Sequence, residues 1–256
     1  MSIYLSGALW IIGAGVVAAL IAALIHRVPA TAGLRDNNEV ASQVFTIVAG
    51  LHAVLMAFVL ISLFDGVSTA RERTQHEANS LVAVSWAADS LPGPDSAKIR
   101  QVSAAYSDTV VSKEWPQMSA DGQVESGTGW QQLDQLRDVI ANAQTAPEDS
   151  WQESRKSAAS DQLWAVYEAR QARLDAAGSG GVSTVVWFAL ILGSVMSMTL
   201  IYLHGGPKVR SHALISGTLA AAMTLLLFAI YQLQNPFSGG AAIGPEAFRA
   251  VLSRLS

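Results

Sequence analysis

Four stretches of this chain carry no Asp, Glu, Lys or Arg: Gly7–Ile25, Val44–Phe64, Val182–Leu203 and Ala213–Leu233. Each is long enough to cross a hydrocarbon layer of about 30 Å as a helix. The second run passes Asp65-Gly66 and continues as a polar, helix-favouring stretch with no proline before Pro92. That pattern predicts one long helix, half apolar and half polar. At about 1.5 Å per residue the polar half would stand more than about 30 Å off a membrane.

Residues 65–181 are polar with mostly helical periodicity. A stalk helix is expected over Val67–Ser90, with Leu81, Val84, Ala88 and Leu91 as its apolar stripe and Trp86 nearby. Arg73 and Glu77, four apart, can pair on its surface. After Leu91-Pro92-Gly93-Pro94, a second helix carries Ile99, Val102, Tyr106, Val110 and Trp115 and stops at Pro116. Met118–Gly129 reads as a loop. A third helix carries Trp130, Leu133, Leu136, Val139 and Ile140 on one face. A fourth opens at Pro147, with Glu148 and Asp149 in its first turn, and runs to Ala177. Trp86, Trp130, Trp151 and Trp164 are expected to pack inward. The pattern thus divides the chain into 1–66 (spans one and two), 67–181 (a helical bundle outside the bilayer), 182–234 (spans three and four) and a tail, 235–256, with a short helix from Pro245 to Leu255. The fold class is all-α, a polytopic membrane protein.

Composition agrees. The chain is 51% hydrophobic and 14% charged, against about 25% charged in an average soluble domain. The net charge of −4 offers no footprint for nucleic acid, and the partner expected is the lipid bilayer. There is no cysteine, hence no disulfide or thiolate site. The first run is read as a retained span and not a signal peptide, because MSIYLSGALW has no basic residue. Gly15, Ala19 and Ala23 recur every four residues, as do Ala213, Gly217 and Ala221. Such stripes let helices approach closely.

Four spans place both termini and the insert on one side. Arg27, Arg35, Lys208 and Arg210 lie in the short loops; Arg71, Arg73, Arg170, Arg173, Arg249 and Arg254 lie in the insert and tail. The first span argues for an insert outside and the total count for one inside, so charge leaves sidedness open.

No phosphate loop, dinucleotide fingerprint, HExxH or GxSxG elbow occurs, and the five histidines lack metal-ligand spacing. Neither an enzyme nor a cofactor or metal site is expected. His52, inside the second run, is read first as a packed neutral ring bonded to a hydroxyl on the next helix, and second as part of an ion or proton path. Glu114-Trp115-Pro116 is read as a helix end whose acid pairs with a base.

Several pieces together resemble a known family. Asn37-Asn38-Glu39-Val40 leads into the second run, which holds Gly50 and Ala57-Phe58. Then follow His76-Glu77-Ala78-Asn79-Ser80-Leu81, Leu91-Pro92, Tyr106 and Glu114-Trp115-Pro116. From about residue 35 to 235 the chain is similar to bacterial membrane proteins described as bestrophin-like. The resemblance implies a homo-oligomeric ion channel, pentameric like bestrophins. Its second span would line the pore, and its insert and termini would be cytosolic at the bacterial plasma membrane. Under it, Val54 and Phe58 are the constriction residues, with Leu51 and Leu55 an equally regular choice. His52, Ser62, Asp65, Arg71, Glu72 and Arg73 are candidates for the ion path or pore mouth. Asn37, Asn38, Glu77, Asn79, Tyr106, Glu114, Trp115 and Pro116 are motif residues with structural roles. The conducted ion stays open, with anions slightly favoured.

Two other readings compete. A non-conducting scaffold or signalling subunit would present the stalk to a protein partner. A transporter would show repeated halves and broken helices, which the pattern lacks.

Overall fold

The computed structural model describes residues 2–25, 38–120, 122, 124, 127–146, 148–178, 181–203 and 209–255, without the side chains of 38–41. His26, Arg27, Arg35, Asn37, Pro147, His204 and Lys208 lie outside the described residues, as does the Asn38 side chain. Among the described residues the chain is helical with no strand: α1 (Ile3–Ile25), α2 (Asn38–Ala88), α3 (Gly93–Thr109), a π-helical turn (Val110–Glu114), α4 (Trp115–Ala120), α5 (Gly127–Asn142), α6 (Ser150–Gly178), α7 (Thr184–Leu203), α8 (Val209–Leu233) and α9 (Glu246–Leu255). Four of these, α1, α2, α7 and α8, are long and apolar enough to cross a membrane. The chain divides into two compact units, Met1–Phe64 with Gly181–Gln234, and Asp65–Gly180 with Asn235–Ser256.

In the first unit the two small-residue stripes meet. A side chain on Gly15 would begin 3.0 Å from the Gly217 carbonyl oxygen, and one on Gly217 would begin 2.9 Å from that of Gly15. Only glycine at both positions lets α1 and α8 come this close. Met56, Leu190 and Ile230 join α2, α7 and α8 in a cluster flanked by Leu55, Val59, Leu60 and Leu63.

The second unit has the expected core of Leu81, Val84, Ile99, Val102, Tyr106, Leu133, Leu136 and Ile140, all buried. The α6 N-terminus is capped by Asp149, whose Oδ1 accepts from the N–H groups of Trp151 (3.0 Å) and Gln152 (3.1 Å). Lys156 caps the end of α5 by donating Nζ to the Ala141 (2.9 Å) and Ala143 (2.8 Å) carbonyls. The tail packs onto this same unit through Phe237 and Phe248, both in van der Waals range of Trp115.

Several local expectations change. Pro116 does not end a helix: it follows directly on the π-helical turn inside an unbroken helical run from Gly93 to Ala120, where the widened turn admits a residue with no N–H to donate. The stretch expected as a loop from Met118 is helical through Ala120 and again from Gly127. Trp86, Trp151 and Trp164 are not core residues. They are 62–65% exposed.

Candidate pore helix and buried ion-pair core

On α2, exposed apolar residues follow a three-four spacing: Val44, Ile47, Leu51, Val54, Phe58 and Ile61. At 3.6 residues per turn these fall on one face. Leu51 and Phe58 are each 68% exposed and Val54 is 53% exposed. Among the described residues no helix of the first unit buries this stripe, whereas the opposite face holds the buried Met56 and His52. Leu55 packs toward the Met56 cluster and does not share the exposed stripe. His52 Nε2 lies 3.0 Å from the Ser194 hydroxyl on α7, and a side chain on Gly193 would begin 2.2 Å from His52 Nδ1. The ring is seated against a bare stretch of α7 with its hydroxyl partner on that same helix. Ser62, Asp65, Arg71, Glu72 and Arg73 are all exposed, and no ion pair forms among them.

The second unit is built around a closed circuit of five side chains, each with no solvent exposure: Glu77, Arg173, Glu114, Arg170 and Tyr106. Arg173 donates Nε to Glu77 Oε2 (2.7 Å) and Nη2 to both Glu77 Oε1 (3.0 Å) and Glu114 Oε2 (3.0 Å). Arg170 donates to both Glu114 oxygens, at 2.8 and 2.7 Å, and to the Tyr106 hydroxyl at 3.2 Å. Tyr106 donates its O–H to Glu77 Oε1 and closes the circuit. Two acids and two bases leave no net charge, which is how such groups survive full burial. The Glu77–Arg73 pair expected on the surface does not form; Glu77 turns inward to Arg173, a partner 96 residues away.

Local sequence explains how each member arrives. Along α6 the buried residues Ala159, Leu163, Val166, Arg170, Arg173 and Ala177 recur at spacings of four and three, so both arginines stand in phase with the apolar stripe. The π-helical turn, in which the Trp115 N–H reaches the Val110 carbonyl, buries Glu114 and Trp115 side by side. Gly129 is required by close approach. A side chain there would begin 2.4 Å from Arg170 Nη2 and 2.5 Å from Glu114 Oε1.

Aromatic faces close the circuit off. Trp130 lies 4.7 Å from the Arg170 guanidinium carbon, and Phe248 and Trp115 lie 5.6 and 5.9 Å from that of Arg173. The Trp115 indole donates to the Ile243 carbonyl at 3.2 Å. Burial works against the Arg173 charge, but Glu77 outweighs it and holds the guanidinium pKa above its ordinary value. At Arg170 burial is likewise outweighed, by Tyr106 and Glu114. Burial, then the negative charge of Glu77, push the Tyr106 phenol up. The circuit has no solvent exposure, and its one hydroxyl, that of Tyr106, is committed to Glu77. Chemically it is a clasp joining α2, α3, the π-helical turn and α6.

Four motif residues named from sequence, Glu77, Tyr106, Glu114 and Trp115, are therefore brought together, while Asn79 stays on the surface of α2. Sequence reasoning missed Arg170, Arg173, Gly129 and Phe248. The available signal was two arginines falling on the apolar phase of α6. Among the described residues no group of three or more His, Asp or Glu could hold a metal.

No curated protein and no solved structure matches the chain. The bestrophin-like domain family does, over residues 12–248, a span that includes the α2 stripe and all five members of the buried circuit. The chain belongs to the bestrophin-like domain family.

Proposed function

We propose that this chain assembles into a homo-oligomeric, bestrophin-like ion channel whose pore is lined by α2, at the plasma membrane of a bacterium. The observation that carries this reading is the apolar stripe of α2, exposed from Val44 to Ile61 and left uncovered by its own unit. In an assembly with α2 innermost, Val54 and Phe58 form an apolar constriction, a gate of the kind that opens by wetting. The second unit is then an extramembrane, cytosolic domain, with its clasp holding the polar half of α2. The role is conduction, without catalysis.

The resemblance by itself slightly favours anions; the helical phase of α2 argues for cations. Four residues beyond Ile61 stands Asp65, and seven further Glu72, both exposed and in phase with the stripe at 100° per residue. Arg71 and Arg73 fall out of phase. An acidic ring at the mouth of an apolar pore concentrates cations.

The test is current across a planar bilayer holding the purified chain. Phe58→Ala is expected to raise unitary conductance or remove gating. A purified, folded protein that passes no ion under any applied voltage would sink this reading. A second reading, a scaffold without a pore, is favoured by the exposed Trp86, Trp151 and Trp164, side chains suited to a protein partner. It expects a stable protein complex and no flux.

A further inference from the structure

Two adjoining clefts make one groove on the second unit, between the polar half of α2 on one side and, on the other, α9 with the segment that leads into it. The first, about 410 Å³, is lined by Arg71, Thr74, Gln75 and Glu246 with Ala242, Ile243 and Gly244. The second, about 330 Å³, is lined by Gln75, Asn79, Glu246 and Arg254 among others. Gln75 and Glu246 belong to both. The order along the groove is therefore Arg71, Glu246, Arg254: positive, negative, positive.

The donors of this groove are unspent. Arg71, Gln75 and Asn79 recur every four residues and share one face of α2. None of these three side chains, nor that of Arg254, has a hydrogen-bond or ion-pair partner among the described residues. Arg100, Arg137, Arg170, Arg173 and Arg249 are each held by a carboxylate and Arg155 lies over the Trp151 ring, while Arg73 and Arg210, outside the groove, also form no ion pair among the described residues. The acid in the middle is placed by a bare backbone: a side chain on Gly244 would begin 2.3 Å from Glu246 Oε2. Its other oxygen accepts from Arg249 at 3.3 Å.

We infer that this groove binds a small amino dicarboxylic acid, with one carboxylate on Arg71, the other on Arg254 and the ammonium between them on Glu246. A guanidinium fork matches a carboxylate with two parallel donors. Gln75 and Asn79 supply further N–H donors between the two arginines. The charge order of such a ligand, negative, positive, negative, complements Arg71, Glu246 and Arg254, with the ammonium on Glu246 Oε2, since Arg249 engages only Oε1 by an exposed contact. The inference stands on binding alone and does not depend on conduction.

The experiment is calorimetric titration of the full chain in lipid nanodiscs with L-glutamate, with glutarate, the same diacid without the ammonium, and with inorganic phosphate. Saturable binding of L-glutamate is expected, weakened about tenfold in Arg71→Ala and in Arg254→Ala, the loss of one charge-assisted pair. Glutarate is expected to bind more weakly than L-glutamate, and Glu246→Gln to erase that difference. Arg71→Lys, which keeps the charge but not the fork, is expected to fall between wild type and Arg71→Ala. Absence of saturable binding overturns the site. So does binding unchanged in both alanine variants, or phosphate binding as tightly as L-glutamate, which would mark a simple anion contact.

Discussion

The carboxylate of Glu77 on α2 takes two hydrogen bonds from the guanidinium of Arg173 on α6, at 2.7 and 3.0 Å, with both side chains wholly out of solvent. Each needs the other: a buried charge without its partner is far more costly than the pair. Glu77→Gln is expected to destabilise the second unit by about 3–5 kcal/mol, leaving Arg173 uncompensated. Thermal melting followed by circular dichroism at 222 nm checks this. A loss below about 1 kcal/mol, the scale of an exposed pair, would contradict the burial of this contact.

Gly129→Ala tests the tightness of the circuit. The added methyl would meet the Arg170 guanidinium and the Glu114 carboxylate together, and both are fully buried and bonded to each other. Overpacking at such a site costs about 1–3 kcal/mol. Gly127→Ala, two residues earlier with nothing within 4 Å, is the control and should be neutral or slightly stabilising. Equal effects at the two positions would refute the close approach.

Alkaline pH should loosen the second unit. With its pKa raised by burial and by Glu77, Tyr106 keeps its proton in the folded chain where the unfolded chain would release it. The contribution is complete below the ordinary phenol value of about 10 and is lost as pH climbs above it. Tyr167, raised by burial and by its hydrogen bond to Asp134, adds in the same direction. The melting midpoint should fall above about pH 10. Tyr106→Phe should melt lower at neutral pH, having lost a donor to Glu77, yet show a shallower alkaline decline. A decline unchanged in Tyr106→Phe and Tyr167→Phe alike would assign it to other groups.

Asp65→Asn bears on the proposed pore. If the stripe of α2 faces a lumen, Asp65 lies at its end, and its neutralisation should shift the reversal potential under a salt gradient toward that of a less cation-preferring pore. Arg73→Gln, out of phase with the stripe, should leave the reversal potential unmoved. The opposite ranking would place the lumen on another face of α2.

Elements were more legible in the sequence than partners. The four apolar runs, the small-residue stripes and the buried positions Leu81, Ile99, Val102 and Tyr106 follow from periodicity, a property of neighbours along the chain. The seat of His52 was legible too, since a ring in an apolar helix needs a polar partner and Ser194 supplies it. What periodicity misses is exchange of a local partner for a distant one. Glu77 had Arg73 one turn away and took Arg173 instead, because a fully buried acid gains from a desolvated guanidinium held on α6. Hydrophobicity rules also place arginine outside and tryptophan inside. On α6 the reverse holds: Arg170 and Arg173 are buried, while Trp151 and Trp164 face out. Charge neutrality within a closed network decides that, and no single residue displays it.

The π-helical turn at Val110–Glu114 sets which change of length this part of the chain can absorb. A turn of this kind holds one residue more than an α-turn, and here the surplus is taken up while Glu114 reaches Arg170 and Trp115 beside it reaches Ile243. Deleting one residue between Val110 and Lys113 would turn the Trp115–Val110 bond into an ordinary α-helical one and leave the residues beyond it close to their present partners. Adding a further residue there, with the wide turn already filled, would instead swing Glu114 and Trp115 by about 100° away from Arg170 and Ile243. This stretch therefore tolerates a one-residue loss better than a one-residue gain.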